Sequence, residues 1–154
     1  IPGTISDDKI MNIDFAPTLL DFAGLSIPEE MQGRSFKNTF TKNSDTKRNA
    51  VYYHYYEYPI WHNVQPHYGV RTDKYKLIHF YYSMDEWELY DMDADPHEMN
   101  NIYENADPVL ISKLKFKLDS LKKYYGDTSS INDMISMTDT VIQRVYNEPV
   151  KEIK

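Results

Sequence analysis

"HYGVRTDKYKLIHFYY", His67 to Tyr82, decides the fold. Two arms rich in Tyr, His, Val and Ile flank the polar triplet Thr72-Asp73-Lys74, which suits a reversal of chain direction. Period-two alternation in the second arm sets Tyr75, Leu77, His79 and Tyr81 on one face. Lys76, Ile78, Phe80 and Tyr82 fall on the other. This is the pattern of a β-hairpin. Upstream, "AVYYHYYEY" (Ala50 to Tyr58) reads as a strand that Pro59 ends, and downstream "EWELY" (Glu86 to Tyr90) alternates in the same way. Sequential strands with short connections pair antiparallel, so a four-stranded antiparallel sheet is expected.

A helix should cover it. Asp107 is placed to cap, Pro108 takes the first position, and Leu110, Leu114, Leu118, Leu121 and Tyr125 form a stripe with Ile111 beside it. Gly126 provides the stop. The lysines at 113, 115, 117, 122 and 123 mostly fill the solvent side and complement the negative C-terminal end. The fold class is therefore α+β.

Outside this core the pattern is looser. "IMNIDF" (Ile10 to Phe15) suggests a short strand, and "DFAPTLLDFAG" a helix with Asp14 as cap, Leu19, Leu20 and Phe22 as its apolar face, and Gly24 as its stop. Residues 37–49 are polar and without period, as in a linker or surface loop. The tail, 127–154, has spacing that permits a short helix or two. The chain opens without an initiator Met or a signal-like segment, and is expected to begin inside something longer.

Composition narrows the function. The 154 residues include 14 Tyr, 6 Phe and 2 Trp, with a net charge of −7. No Lys/Arg block tracks a phosphate backbone, so nucleic acid is not an expected partner. No apolar run is long enough to span a bilayer. The absence of cysteine excludes disulfides, thiolate metal sites and a cysteine nucleophile in this chain.

"ELYDMDADPHEMNNIY" (Glu88 to Tyr103) places Asp91, Asp93 and Asp95 at alternate positions, as a calcium-binding EF-hand loop begins. That loop needs Gly sixth and Glu twelfth, where Pro96 and Ile102 stand. Acids gathered in one turn are better explained as caps: Asp95 before Pro96, with Glu98 three residues on as in a capping box. The histidines show no metal-ligand spacing. "EYPIWHNVQPHYGVRT" gathers Trp61, His62, His67, Tyr68 and Arg71 around one Pro-bounded loop, an aromatic platform with imidazoles and a guanidinium suited to sugar hydroxyls or an anionic substituent. An ordinary Tyr/His-rich loop explains the same residues equally well. No nucleophile elbow, P-loop or dinucleotide fingerprint occurs.

The pieces together resemble a family. "NIDFAPTLLDFAGLSIPEEMQGRSF" is similar to the segment that follows the last active-site elements of type I, formylglycine-dependent sulfatases. It matches at Asp14, Pro17, Thr18, Leu19, Leu20, Gly24, Pro28, Gln32, Gly33, Arg34 and Ser35. "YGVRTDKYKLI" resembles the sulfatase hairpin. "ELYDMDADPHEMNNIY" resembles the family's corner at Glu88, Leu89, Tyr90, Asp91, Asp95, Pro96, Glu98 and Asn101. The aromatic stretch looks most like bacterial sulfatases acting on 6-sulfated N-acetylglucosamine.

The resemblance implies a division of the chain. Residues 1–36 would end the catalytic domain, 37–49 link, 50–126 form the C-terminal subdomain with the N-terminal strand–helix as a remnant of the larger α/β domain, and 127–154 form a tail. It implies a catalytic domain as partner, a sulfated glycan as substrate, calcium in the parent enzyme and none held here, and a periplasmic or extracellular location. The family's Cys- or Ser-based nucleophile motif matches no position, so the chain alone is expected to be inactive. By resemblance His67, then His62 and Arg71, with Trp61, would contribute to the sugar subsite. A non-catalytic carbohydrate-binding module or a purely structural cap are the alternatives.

Overall fold

Contacts divide the chain into two units, Ile1–Val51 and Tyr52–Lys154. The computed structural model describes residues 3, 5–40, 47–59 and 62–147.

In the first unit a carboxylate is the hub. Asp14 is only 2% exposed, and its two oxygens accept hydrogen bonds from the backbone of Met11 (2.7 Å) and Arg34 (2.9 Å) and from the guanidinium of Arg48. Burial pushes the Asp14 carboxyl up, but the Arg48 guanidinium and the two backbone N–H groups outweigh it and hold it below the usual range. The expected strand at Ile10–Phe15 is therefore a 3₁₀ turn, Asn12–Asp14, because the Met11 N–H bonds back to Asp14 instead of to a neighbouring strand. Nor does Asp14 cap α1 (Phe15–Phe22) with its side chain; its carboxylate is occupied elsewhere.

The "QGRSF" segment packs against this hub. Phe36 N–H donates to Thr18 Oγ1 (3.0 Å), whose hydroxyl donates to the Asp14 carbonyl (2.6 Å). Ser35 and Lys37 both bind Asp21. A Cβ at Gly33 would lie 1.9 Å from the Ile13 carbonyl oxygen, so the approach admits only glycine. Thr18 and Pro17 thus form the inward face of α1, whereas Leu19 and Phe22, expected on its packed side, are 69% and 55% exposed, and Phe15 beside them is 56% exposed.

The antiparallel sheet runs in the order β1 (Ala50–Tyr55), β2 (His67–Thr72), β3 (Tyr75–Tyr81) and β4 (Asp85–Asp91), all but the first two residues of β1 belonging to the second unit. Register sets Val70 opposite Leu77, and Leu77 opposite Leu89; all three are fully buried. This face also carries Tyr68, His79 and Trp87 in one row, and α2 (Pro108–Tyr124) lies over it. Asp107 caps α2 by accepting from Val109 N–H (2.9 Å), and Leu114 and Leu118 are buried, as the stripe predicts. Two lysines depart from the solvent-side expectation: Lys115 sits 3.9 Å from the Trp87 ring centre and Lys122 4.0 Å from that of Tyr68. Their aliphatic stems reach the sheet and their charges meet ring faces.

The Asp-rich corner seals the sheet's β4 edge. Asn101 Oδ1 accepts from Leu89 N–H (3.0 Å), its Nδ2 donates to the Trp87 carbonyl (3.2 Å), and Ile102 N–H donates to the Leu89 carbonyl (2.9 Å). These bonds occupy backbone groups that an edge strand leaves open. Asp91 accepts from Asp93 and Ala94 N–H, and Asp95 from Asn100 N–H, as turn caps. Glu98 is no capping-box residue. It adopts a left-handed backbone (φ 56°) and reaches Lys76 at 2.5 Å.

Beyond Gly126 the tail forms one helix, α3 (Ile131–Asn147), opened by a reciprocal cap in which Ser130 and Asp133 bind each other's backbone N–H. Among the described residues no helix is long and apolar enough to cross a membrane.

Candidate functional site

The sheet face opposite α2 carries His67 at the start of β2. Register brings His67 beside Phe80 of β3, and β1 adds Tyr53 and Tyr55. The imidazole stacks on Tyr55 (centroids 5.4 Å, planes 22° apart) and meets Phe80 at 5.0 Å and Tyr53 at 6.0 Å. Its Nδ1–H donates to the Gln65 carbonyl at 2.8 Å. In the neutral ring this bond selects the tautomer whose Nε2 carries the lone pair. An oriented acceptor on a three-ring bed is what remains for a ligand.

Space for these rings comes from Gly69. A Cβ there would stand 2.5 Å from the Tyr53 hydroxyl and 2.6 Å from the Leu77 carbonyl oxygen. Burial pushes the Tyr53 phenol well up, so it stays protonated. The hydroxyls of Tyr53 and Tyr55 are both buried and bond to nothing among the described residues. Two unmet hydrogen-bonding groups therefore flank His67.

The other candidates disperse. Arg71 shares the face of His67 but lies four residues along β2, about 13 Å by strand rise. Its Nη1 donates to the carbonyls of Thr72 and Asp73, tying it to its own turn. His62 is exposed in the segment before β2, and no hydrogen bond or ring contact joins it to His67 among the described residues. Trp61 lies outside the described residues. No three His, Asp or Glu side chains converge as metal ligands among the described residues.

A second constellation had no signal in the spacing of residues. On the α2-facing side, Asp127 Oδ2 accepts from the Tyr52 hydroxyl and, at 2.9 Å, from His54 Nδ1–H. His54 Nε2 accepts from the Tyr81 hydroxyl at 2.9 Å. Burial depresses the His54 pKa more than the Asp127 carboxylate raises it, so the ring is neutral near pH 7. Burial also acts on Asp127, but the Tyr52 and His54 donors outweigh it and keep the carboxyl below its ordinary value. Tyr81 is pushed up to about 12 by burial. His79 repeats the theme between Tyr68 (2.8 Å) and Asp85 (2.7 Å), stacked on Trp87 at 4.1 Å.

Comparison with known proteins gives a consistent set of likenesses. The family model described as "N-sulphoglucosamine sulphohydrolase, C-terminal" matches residues 1–124. An N-acetylglucosamine-6-O-sulfatase of Bacteroides thetaiotaomicron is 50% identical over 129 residues, covering 81% of this chain and 23% of the relative. The N-acetylglucosamine-6-sulfatase of Bos taurus is 29% identical over 157 residues, 82% of this chain and 28% of its own. A solved structure of a protein in complex with its substrate D-glucosamine-2-N,6-O-disulfate aligns with a TM-score of 0.72 at 48% identity. That alignment covers 77% of this chain and 25% of the other. The chain thus spans about a quarter of the length of the relatives it matches.

Proposed function

This chain belongs to the sulfatases as a C-terminal domain of the N-sulphoglucosamine sulphohydrolase type, and from that premise we propose that it forms the sugar-facing wall of an enzyme hydrolysing 6-sulfate esters of N-acetylglucosamine in glycans. The nucleophile and the calcium that assists it lie in the rest of the parent protein. The exposed Phe15, Leu19 and Phe22 side of α1 supports a larger partner domain, since contiguous apolar surface of this kind is ordinarily covered. The 6-sulfated glucosamine units named for the relatives support the substrate. The family resemblance extends the proposal to a periplasmic or extracellular site of action.

One observation carries the reading. His67 is oriented by Gln65 and bedded on Tyr55 and Phe80, so its Nε2 is held in place before a ligand arrives. In this role Nε2 accepts from a sugar hydroxyl while the rings meet the apolar face of the pyranose. The family resemblance is the support for keeping His62, Trp61 and Arg71 in this proposal, as groups that would meet further sugars or anionic substituents.

The test is His67→Ala in the parent enzyme. Losing one oriented hydrogen bond should lower kcat/KM on 6-sulfated N-acetylglucosamine by about tenfold to a hundredfold. Hydrolysis of a simple aryl sulfate, which lacks the sugar, should stay within about twofold. Equal effects on both substrates would reject a sugar contact in favour of a structural cap.

A further inference from the structure

A cavity of about 400 Å³ opens between the C-terminal ends of β1 and β3 and the first half of α3. Its walls include the rings of His54, Tyr56 and Tyr81 and the thioethers of Met134 and Met137, and Asp127 stands among them. The lining is built partly beyond the region common to the family: the family match ends at residue 124, whereas Asp127 and all of α3 follow it.

The chemistry of the lining is one-sided. Asp127 Oδ2 is engaged by Tyr52 and His54, while Oδ1 has no hydrogen bond among the described residues. The carboxylate stays ionised, and the His54 ring beside it stays neutral. No Lys or Arg belongs to the lining. Lys122 acts on Asp127 and lines, with Lys123, a neighbouring cleft that the carboxylate also borders, but its ammonium is held over the Tyr68 ring, 4.0 Å from the centre. Carboxylate, aromatic rings and polarizable sulfur in one apolar cavity favour a positive charge on a greasy body. Rings attract cations through their negative faces, and a carboxylate oxygen without a donor welcomes an ammonium.

We propose that this cavity binds an organic ammonium ion whose cationic head meets Asp127, Tyr56 and Tyr81 and whose hydrocarbon part rests on Met134 and Met137. A protonated amine and a quaternary ammonium share this chemistry. They differ in that only the amine can donate to Asp127 Oδ1. The site is separate from the His67 face, being on the opposite side of the sheet, so its occupancy does not depend on sulfate hydrolysis.

Titration calorimetry on the full-length protein tests this with choline, its neutral isostere carrying a tert-butyl group for the trimethylammonium, cyclohexylammonium and cyclohexanol. Each cation should bind about tenfold more tightly than its neutral counterpart. Cyclohexylammonium exceeding choline would identify the protonated amine as the preferred form, and the reverse order the quaternary one. Met137 is 64% exposed, so Met137→Lys places a competing cation at the rim without disturbing buried structure. That variant should lose about tenfold or more of cation affinity while keeping its Tm. Tyr56, 65% exposed, gives a second variant: Tyr56→Leu keeps apolar bulk, removes the ring and should weaken both cations severalfold. Equal binding of cations and neutral isosteres, absence of binding, or cation affinity indifferent to both substitutions would each overturn the proposal.

Discussion

Arg48 grips Asp14 through both carboxylate oxygens, Nη1 to Oδ2 at 2.5 Å and Nη2 to Oδ1 at 2.9 Å, across 34 residues of sequence. The groups are 6% and 2% exposed, so neither charge has bulk water to fall back on. Arg48→Met should destabilise the protein by about 3–5 kcal/mol, because it leaves Asp14 buried and unpaired. The double substitution Asp14→Leu with Arg48→Met should recover part of that loss. Urea unfolding of the three proteins measures both values, and a single-variant cost below about 1 kcal/mol would show the pair to be dispensable.

Acid should weaken the second unit before carboxylates begin to titrate. His54 and His79 have folded pKa values depressed by burial, below the ordinary value of about 6.5 that they regain on unfolding. Below pH 6.5 the unfolded chain therefore binds protons that the folded one refuses. Their stabilisation is full above 6.5 and is lost as pH falls through the depressed values. Tm should drop between pH 7 and pH 5, and the His54→Gln variant should show a shallower drop. A Tm flat over this window contradicts neutral burial of these rings.

Gly69→Ala tests the packing of the His67 face. The new methyl would meet the Tyr53 hydroxyl, which can move, and the Leu77 carbonyl oxygen, which belongs to the sheet ladder and cannot. A cost of about 1–3 kcal/mol is expected from overpacking. Adding Tyr53→Phe removes the hydroxyl but keeps the ring carbon Cζ, 2.7 Å from the new methyl, and leaves the Leu77 carbonyl in place, so it should return little of the loss. Full rescue by that second change would place the crowding on the phenol alone.

Asn101 is tested by Asn101→Asp. The replacement keeps an oxygen for Leu89 N–H but loses the N–H donated to the Trp87 carbonyl and sets negative charge against it. The loss should be about 1–2 kcal/mol, with faster amide exchange concentrated at β4. Uniform exchange across the sheet would mean that the corner does not protect this edge.

What the sequence made legible was short in range. The hairpin, β4 and α2 follow from alternation, Leu spacing and the Asp107–Pro108 start, each complete within a few residues. The misread elements depended on distant partners. Asp14 looks like a helix cap until Arg48 arrives, and Glu98 looks like part of a capping box until its backbone turns left-handed toward Lys76. The start of α3 did carry a local signal, Ser130 with Asp133 three residues on, but β-branched residues obscured the helix behind it. On the candidate site, alternation alone sets His67 and Arg71 on one face, but the Gln65 bond and the Tyr55 stack that orient His67 come only from folding. The His54–Asp127 contact spans 73 residues, and no local pattern announces it.

The sequential strand order has a kinetic side. Because each strand neighbours its successor, β1 through β4 can assemble by closing short loops, the kind of topology that folds quickly. The Tyr52 and His54 bonds to Asp127 instead close loops of 75 and 73 residues and must wait until the sheet and α2 exist. Weakening these late bonds shortens the lifetime of the folded state and leaves the rate of its formation nearly untouched. Tyr52, His54 and Asp127 thus act as a latch on the finished domain, setting how long it stays folded after faster contacts have set how soon it forms.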